Sequence, residues 1–191
     1  MRSVRFGLLF VMMLGCSVPR TTQNAPASQD LVETGSNLYI FVTHECPIAN
    51  RYAPELCRIA EEHLDLVGST VVVYADPSAS VAACWTHFEQ YYASSFVTEE
   101  QSEHLPVLMV HDAQHAWVKR FDARAVPTAV IARGEAVLYH GRIDDRNPRL
   151  GARRVQANQE DLREALSALR AGTLEPTRTR VVGCSIDRTG G

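Results

Sequence analysis

Three features that often reveal a protein's function are missing from this 191-residue sequence. It has no two cysteines separated by two residues, and the intervals between Cys46, Cys57, Cys84 and Cys184 do not match a zinc knuckle. It has no apolar run of about 20 residues, the length that a membrane-spanning helix needs. Its formal net charge is −3, so it lacks the basic excess of nucleic acid binding proteins. Neither a metal site nor nucleic acid binding is expected.

Residues 1–16, MRSVRFGLLFVMMLGC, have the pattern of an export signal. Arg2 and Arg5 precede an apolar run, and a small glycine follows it before Cys16. The ending MLGC resembles a lipobox, in which signal peptidase cuts before a cysteine that then carries lipid. We predict a lipoprotein-type signal peptide with Cys16 as the lipidated residue. An ordinary secretory signal that is cut later is the alternative.

Residues 17–36 are rich in Ser, Thr, Pro, Asn and Gln and contain few apolar side chains. Such a segment cannot bury enough apolar surface to fold, so we predict a flexible tether. Together with the signal peptide, it predicts an exported lipoprotein at the periplasmic face of a bacterial membrane.

From residue 37 onward, short apolar runs typical of strands alternate with segments whose apolar residues recur every three or four positions, as in helices. Strands are predicted at residues 37–42, 69–76, 105–112, 126–132 and 135–143. Helices are predicted at residues 47–66, 79–93, 114–121 and 158–172. Arg133-Gly134 predicts a hairpin turn, and Asn158 and Gly172 predict the ends of the last helix. This order predicts an α/β fold, a three-layer α/β/α sandwich with a mixed sheet, over residues 37–171, and an irregular tail over 172–191.

Cys46 lies where the first strand gives way to the first helix. Pro47 suits the first helical position because its missing N–H needs no partner there. Cys46 would then be the N-cap, where unpaired N–H groups and the positive end of the helix dipole favour a thiolate. The alternative is a buried cysteine that packs as a small hydrophobic residue. We predict that Cys46 is a redox-active thiol.

The stretch around Cys46 resembles the active-site helix of thioredoxins, with Pro54 eight residues beyond the cysteine. Residues 104–143 are similar to the second half of membrane-tethered redoxins and of the alkyl hydroperoxide reductase/thiol-specific antioxidant group. Their cis-proline loop matches AVPTAVI. The resemblance covers residues 37–171 and implies a thioredoxin-like fold with a cis Val126-Pro127 bond facing Cys46. It also implies that Pro127 holds a partner chain against the sulfur.

The sequence departs from these families at several positions. Ala49 stands where thioredoxins have their second cysteine, so a disulfide within the motif is impossible. The Thr-x-x-Cys part of the peroxiredoxin motif is present, whereas Tyr39 replaces its proline. The resemblance implies that Thr43 orients the thiolate and a peroxide, with Arg124 as a candidate for the arginine that shares this work. Asn50 replaces the second cysteine of copper-delivery relatives, so a strong copper site is not expected.

A second thiol would have to resolve oxidised Cys46. Cys57 lies about 16 Å along the same predicted helix, whereas a disulfide needs Cα atoms within about 7 Å. Cys84 belongs to the apolar face of the second predicted helix and is expected in the core. Cys184 lies in the tail, which can extend about 40 Å beyond the last helix. It is the candidate resolving cysteine, and its alternatives are a structural disulfide or an exposed thiol.

Two further groups of polar residues, at His44 and at residues 144–146, are candidates for a functional role. His44, next to Cys46, either stabilises the thiolate or is a solvated surface residue. The remaining histidines lie on separate elements, so zinc is not expected. Asp144, Asp145 and Arg146 are predicted to form a charged turn, with a binding role as the alternative.

Three hypotheses follow for function, and none of them needs a cofactor. The first is an extracytoplasmic thiol–disulfide oxidoreductase in which Cys46 exchanges with protein thiols and disulfides. The second is a one-cysteine peroxidase, in which peroxide oxidises Cys46 to a sulfenic acid. The third is a redoxin that binds copper or a partner protein without catalysis.

Overall fold

The computed structural model describes residues 35–93 and 107–188. Its elements are β1 Ser36–Val42, α1 Pro47–Glu62, β2 Val67–Tyr74, α2 Val81–Tyr91, β3 Val107–His111, α3 Ala116–Phe121, β4 Ala125–Val126, β5 Thr128–Arg133, β6 Ala136–Gly141, α4 Asp161–Arg170, β7 Thr177–Arg178 and β8 Cys184–Ser185. The predicted signal peptide and almost all of the predicted tether lie outside these ranges. Within them, no helix combines the length and apolar character needed to span a bilayer.

Six strands form one sheet in the order β3-β2-β1-β5-β6-β7. The strands β1, β2 and β3, which helices connect, pair in parallel. The β5–β6 hairpin turns through Gly134 and Glu135, one residue later than the predicted Arg133-Gly134, and Gly134 has φ 56°. Strand β5 pairs antiparallel with β1. The prediction of a mixed sheet with parallel strands and a C-terminal hairpin is therefore confirmed.

Helices cover both faces of this sheet, which makes the predicted three layers. The rings of Tyr39 and Phe41 on β1 contact Phe121 of α3 on one face. Because side chains alternate along a strand, Leu38 and Ile40 point to the opposite face. There α1 is linked to α2 through Asn50 and His87 and to α4 through Glu55 and Arg163. All four β1 side chains are buried, so β1 runs through the middle of the core.

The single strand predicted over residues 126–132 is interrupted. Pro127 separates β4 from β5, because a proline has no N–H to donate to a sheet ladder. The two residues of β4 leave the main sheet and pair with β8 instead. This break creates a short backbone edge beside the start of α1.

The last helix begins later than predicted. Its N-cap is Glu160, because the N–H of Asn158 donates to Asp145 Oδ1 at 2.7 Å and its amide also faces that carboxylate. The predicted stop at Gly172 is confirmed, since this residue has φ 71°. The N–H of Gly172 donates to Leu169 and that of Thr173 to Ala168, which is the Schellman arrangement of helix ends.

The tail predicted as irregular over residues 172–191 contains two short strands. In β7, Thr177 and Arg178 pair in parallel with β6 at the edge of the main sheet. In β8, Cys184 and Ser185 pair antiparallel with β4. The prediction of irregular structure is wrong at these two places. A strand of two residues is too short to be recognised from an alternation of apolar and polar residues.

Candidate functional site

Cys46 is the N-cap of α1 and is 1% exposed. Its sulfur accepts the N–H of Ala49 at 3.5 Å, and Pro47 begins the helix. The N–H of Cys46 donates to the carbonyl of Thr43 at 3.2 Å, which fixes the preceding turn. The predicted N-cap position is confirmed, and a helix N–H faces the sulfur where it would stabilise negative charge.

The Val126-Pro127 bond is cis, which confirms the expectation for this loop. The carbonyl of Val126 accepts a hydrogen bond from the thiol of Cys46 at 3.6 Å. Pro127 is buried directly after this carbonyl. Residues that are 80 positions apart in sequence are therefore in contact at the start of α1.

Cys184 is brought to the same place by β8. Its Cα is paired with that of Val126, and the N–H of Ile186 donates to the carbonyl of Arg124 at 3.0 Å. Cys46 and Cys184 are both thiols in this structure. Partial burial, followed by a hydrogen bond and charge interaction with Cys46, raises the pKa of Cys184 to about 11.

Three residues around Cys184 fix the position of the tail. A Cβ added to Gly183 would lie 1.8 Å from the carbonyl oxygen of Val126, so only glycine allows this approach. Ile186 is 6% exposed and belongs to the core. Arg188 forms an ion pair with Asp122 at 2.9 Å. Sequence reasoning found Cys184 but missed these contacts, whose sequence signal is the Gly-Cys-Ser-Ile order.

The other two cysteines lie away from this pair of thiols. Helix α1 continues through Pro54, so Cys57 remains well along the helix from Cys46, as predicted. The thiol of Cys57 lies 3.8 Å from the carbonyls of Tyr91 and Tyr92. Cys84 is fully buried, and burial followed by the charge of Asp76 raises its pKa to about 11. The prediction that Cys84 belongs to the core is confirmed.

Thr43 and Arg124 are not assembled around the sulfur. Thr43 contacts Cys46 through its backbone carbonyl, and no hydrogen bond between its hydroxyl and Cys46 is found among the described residues. The guanidinium of Arg124 is largely exposed and pairs with Asp122 at 3.0 Å. The arginine that a peroxidase site would place beside the thiolate is therefore engaged elsewhere.

His44 lies next to Cys46 in sequence but faces two carboxylates. Its ring nitrogens are 3.7 Å from Glu45 and 3.7 Å from Asp76. Within the residues that the structure describes, no group of three or more His, Cys, Asp or Glu side chains is arranged to hold a metal ion.

A hydrogen-bonded chain that the sequence did not reveal supports the turn before Cys46. The amide nitrogen of Asn50 donates to the carbonyl of His44 at 3.2 Å, so its oxygen faces Nε2 of His87 at 3.0 Å. His87 therefore carries its proton on Nε2, and its Nδ1 accepts from the hydroxyl of Tyr74 at 2.7 Å. Burial, and to a smaller extent the charge of His44, lowers the pKa of His87 to about 4.

Asp144 and Asp145 are buried rather than solvated. Asp144 pairs with Arg146 at 2.6 Å and accepts a hydrogen bond from the hydroxyl of Tyr52 on α1. Asp145 pairs with Arg154 at 2.6 Å. The prediction of a charged turn holds, but its carboxylates face inward and join the loop after β6 to α1 and to the start of α4.

Comparison with known proteins gives structural similarity without a family assignment. No family model matches the chain, and no curated protein matches it. An uncharacterized conserved protein from Geobacillus kaustophilus superimposes with TM-score 0.57 and 24% identity, covering 82% of this chain and 79% of that one. A hypothetical protein from Sinorhizobium meliloti 1021 gives TM-score 0.55 and 22% identity, covering 83% and 82%.

A third solved structure is a secreted Mycobacterium tuberculosis disulfide oxidoreductase, with TM-score 0.45 and 18% identity, covering 72% of this chain and 81% of that one. At these identities, similarity concerns the fold. The strand order, the two helix layers and the cis proline before β5 agree with the fold expected from the sequence. The chain therefore has a thioredoxin-like fold.

Proposed function

We propose that this chain is an extracytoplasmic thiol–disulfide oxidoreductase in which Cys46 is the nucleophile and Cys184 the resolving thiol. One observation carries the proposal. The β4–β8 ladder pairs Cys184 with Val126, whose carbonyl accepts from the Cys46 thiol, beside the cis proline and at the N-terminus of α1. A second thiol at this place replaces the partner that Ala49 cannot supply.

The reaction is two successive thiol–disulfide exchanges. The Cys46 thiolate attacks one sulfur of a protein disulfide, forms a mixed disulfide and releases the other substrate sulfur as a thiolate. Cys184 gives its proton to the substrate sulfur released in the first exchange and attacks Cys46 as a thiolate. This forms a Cys46–Cys184 disulfide and releases the second substrate sulfur, which takes up a proton from solvent, as Cys46 lost one before its attack. The substrate gains two electrons and the enzyme loses two, which an external dithiol returns. Run in reverse, the same steps oxidise a substrate dithiol.

The surroundings of the two sulfurs support these roles. The N–H of Ala49 faces Cys46 and stabilises its negative charge. Cys184, whose pKa is raised to about 11, holds its proton at neutral pH until the substrate sulfur released in the first exchange takes it up. Pro127 follows the carbonyl that contacts Cys46 and is placed to border a bound partner chain. Neither the peroxidase nor the copper hypothesis gains a comparable contact among the described residues.

The proposal is tested with the purified chain and a model protein disulfide. Cys46→Ser is expected to lose at least 100-fold in exchange rate. Cys184→Ser is expected to accumulate a mixed disulfide between Cys46 and substrate, whereas the unmodified chain yields a Cys46–Cys184 disulfide, both identified by peptide mass spectrometry. A Cys46→Ser protein that keeps its rate would contradict the assignment. Rapid trapping of a sulfenic acid at Cys46 by stoichiometric peroxide, without disulfide exchange, would favour the peroxidase.

A further inference from the structure

The segment from Gly183 to Ile186 suggests which partner the site accepts. We infer that an extended segment of a substrate protein docks on β4 in the place that residues 183–186 of the chain itself now fill. Substrates would then compete with the chain's own tail for β4. The inferred substrate is an extended polypeptide with the sequence Gly-Cys-x-aliphatic, where x is any residue. This inference rests on the proposed function and concerns the partner of the same site.

The backbone edge of β4 requires a strand partner. Among the described residues, β8 is the strand that pairs with β4, in a sheet of two strands. The carbonyl of Arg124 accepts from Ile186, one of the hydrogen bonds that this pairing supplies. Backbone groups beside a buried site need partners, and a strand from another protein can provide them in the same way. The edge is thus a strand-binding surface already occupied by the chain itself.

The register of β8 defines what the edge can accept. Pairing of Val126 with Cys184 puts the tail cysteine against Cys46, as an incoming cysteine would have to be placed. At the preceding position, a Cβ would lie 1.8 Å from the Val126 carbonyl oxygen, so a side chain is excluded there. Two residues after the cysteine, Ile186 is 6% exposed, so an aliphatic side chain is buried there.

Few contacts join β8 to β4. The ladder comprises two residue pairs, and Ser185 and Arg188 are exposed. The Arg188–Asp122 pair joins side chains that are 38% and 43% exposed, a class of ion pair that contributes about 0–1 kcal/mol. Burial of Ile186 is the main apolar contribution. A Cys46–Cys184 disulfide would fix the tail covalently, so the reduced protein is the form that admits a substrate.

The test uses the full reduced chain and a fluorescent peptide of residues 181–187 in which serine replaces the cysteine, so that no exchange can occur. Fluorescence anisotropy gives its affinity. Gly183→Ala and Ile186→Ala, which weaken docking of the chain's own tail, are each expected to bind the peptide at least 10-fold more tightly than the unmodified chain. Ser185→Ala, whose side chain is exposed in the same strand, is the matched control and should bind as the unmodified chain does.

A peptide with alanine in place of glycine is expected to bind at least 10-fold more weakly to Ile186→Ala. The inference would be overturned if the glycine peptide bound equally tightly to the unmodified chain and to a folded Gly183→Ala or Ile186→Ala variant. It would also be overturned by equal affinity of the glycine and alanine peptides. The rate at which Cys46 reacts with a small organic disulfide is measured in parallel. Failure of that reaction while peptide binding behaves as expected would refute the proposed exchange activity and leave the docking surface in place.

Discussion

At the residue scale, the two thiols of the candidate site have different surroundings although they are in contact. Cys46 is 1% exposed and its sulfur faces the N–H of Ala49. Cys184 lies in a half-buried strand without a helix N-terminus behind it. Burial, followed by a hydrogen bond and charge interaction with Cys46, raises the pKa of Cys184 to about 11, so Cys184 keeps its proton at neutral pH.

This asymmetry predicts how Cys184 titrates when Cys46 is removed. Its hydrogen bond and charge interaction with Cys46 both raise the pKa of Cys184, so Cys46→Ala should lower that pKa. We expect alkylation of Cys184 by iodoacetamide to begin at a lower pH in this variant, measured by mass spectrometry across a pH series. Cys84, buried elsewhere, is the internal control and should be unaffected. An unchanged profile for Cys184 would show that the two thiols do not interact.

His87 predicts a pH dependence of stability. The folded protein lowers its pKa from 6.5 to about 4, so the unfolded chain binds a proton at a pH where the folded chain does not. Stability therefore falls as the pH is lowered from about 6.5 to about 4, by at most about 1.4 kcal/mol per pH unit for one group. His87→Gln should flatten this part of the profile in urea denaturation, whereas His111→Gln should retain it. A slope that survives in His87→Gln would assign the effect to other groups.

At the element scale, the chain after α4 contributes more to the molecule than its composition suggests. Next to the β6–β7 pairing, Thr179 also links the tail to the main sheet. Its N–H donates to the carbonyl of His140, and its hydroxyl accepts from the N–H of Arg142 at 3.0 Å. The hydroxyl of Tyr139 lies 3.0 Å from that of Thr179. These bonds fasten the tail to β6 before it continues toward β8.

Gly141 predicts how sensitive this attachment is. A Cβ there would lie 1.9 Å from the hydroxyl oxygen of Thr179, too close for any side chain. Gly141→Ala is expected to lower the free energy of unfolding by about 1–3 kcal/mol, as overpacking does, in urea denaturation. Gly35→Ala is the matched control, since its Cβ would meet its nearest atom at 3.9 Å. Equal stability of the two variants would indicate that the tail shifts without cost.

The elements that the sequence predicted well are those with a long apolar period or a specific end signal. The helix start at Cys46 and Pro47 and the helix stop at Gly172 depend on neighbouring residues, so they could be predicted locally. The contact of His87 with Asn50 joins two elements 37 residues apart, and no local pattern specifies it. Asn158 is a residue type that suits an N-cap, but its N–H donates to the carboxylate of Asp145, and the helix begins later.

At the scale of the whole molecule, the site combines residues from the beginning, middle and end of the folded region. Cys46 is the N-cap of α1, Val126 ends β4 and Cys184 lies in β8. The sequence indicated the first two segments through a motif and a resemblance, and Cys184 through its place in the tail. Their assembly depends on the sheet order and on the tail returning to β4, which are properties of the tertiary structure.

The proposed location of the molecule predicts a role for Cys16, which precedes the described residues. If this cysteine carries lipid, the protein will partition into the membrane fraction of a bacterial host and incorporate labelled palmitate. Cys16→Ser should lose the label and leave the membrane fraction, because a single serine cannot be diacylated. Cys184→Ser is the control and should keep both properties. Membrane association that persists in Cys16→Ser would point to an uncut signal peptide instead.

The two-residue ladder between β4 and β8 also sets a local concentration. While β8 is paired, the Cys184 thiol is presented to an oxidised Cys46 intramolecularly, at an effective concentration determined by the strand. When β8 is unpaired, thiols in solution compete for the same sulfur on equal terms. Oxidised Cys46 is thus resolved either by Cys184 or by an external thiol. The ratio of the two outcomes depends on the free energy of unpairing β8 from β4 and on the concentration of the external thiol.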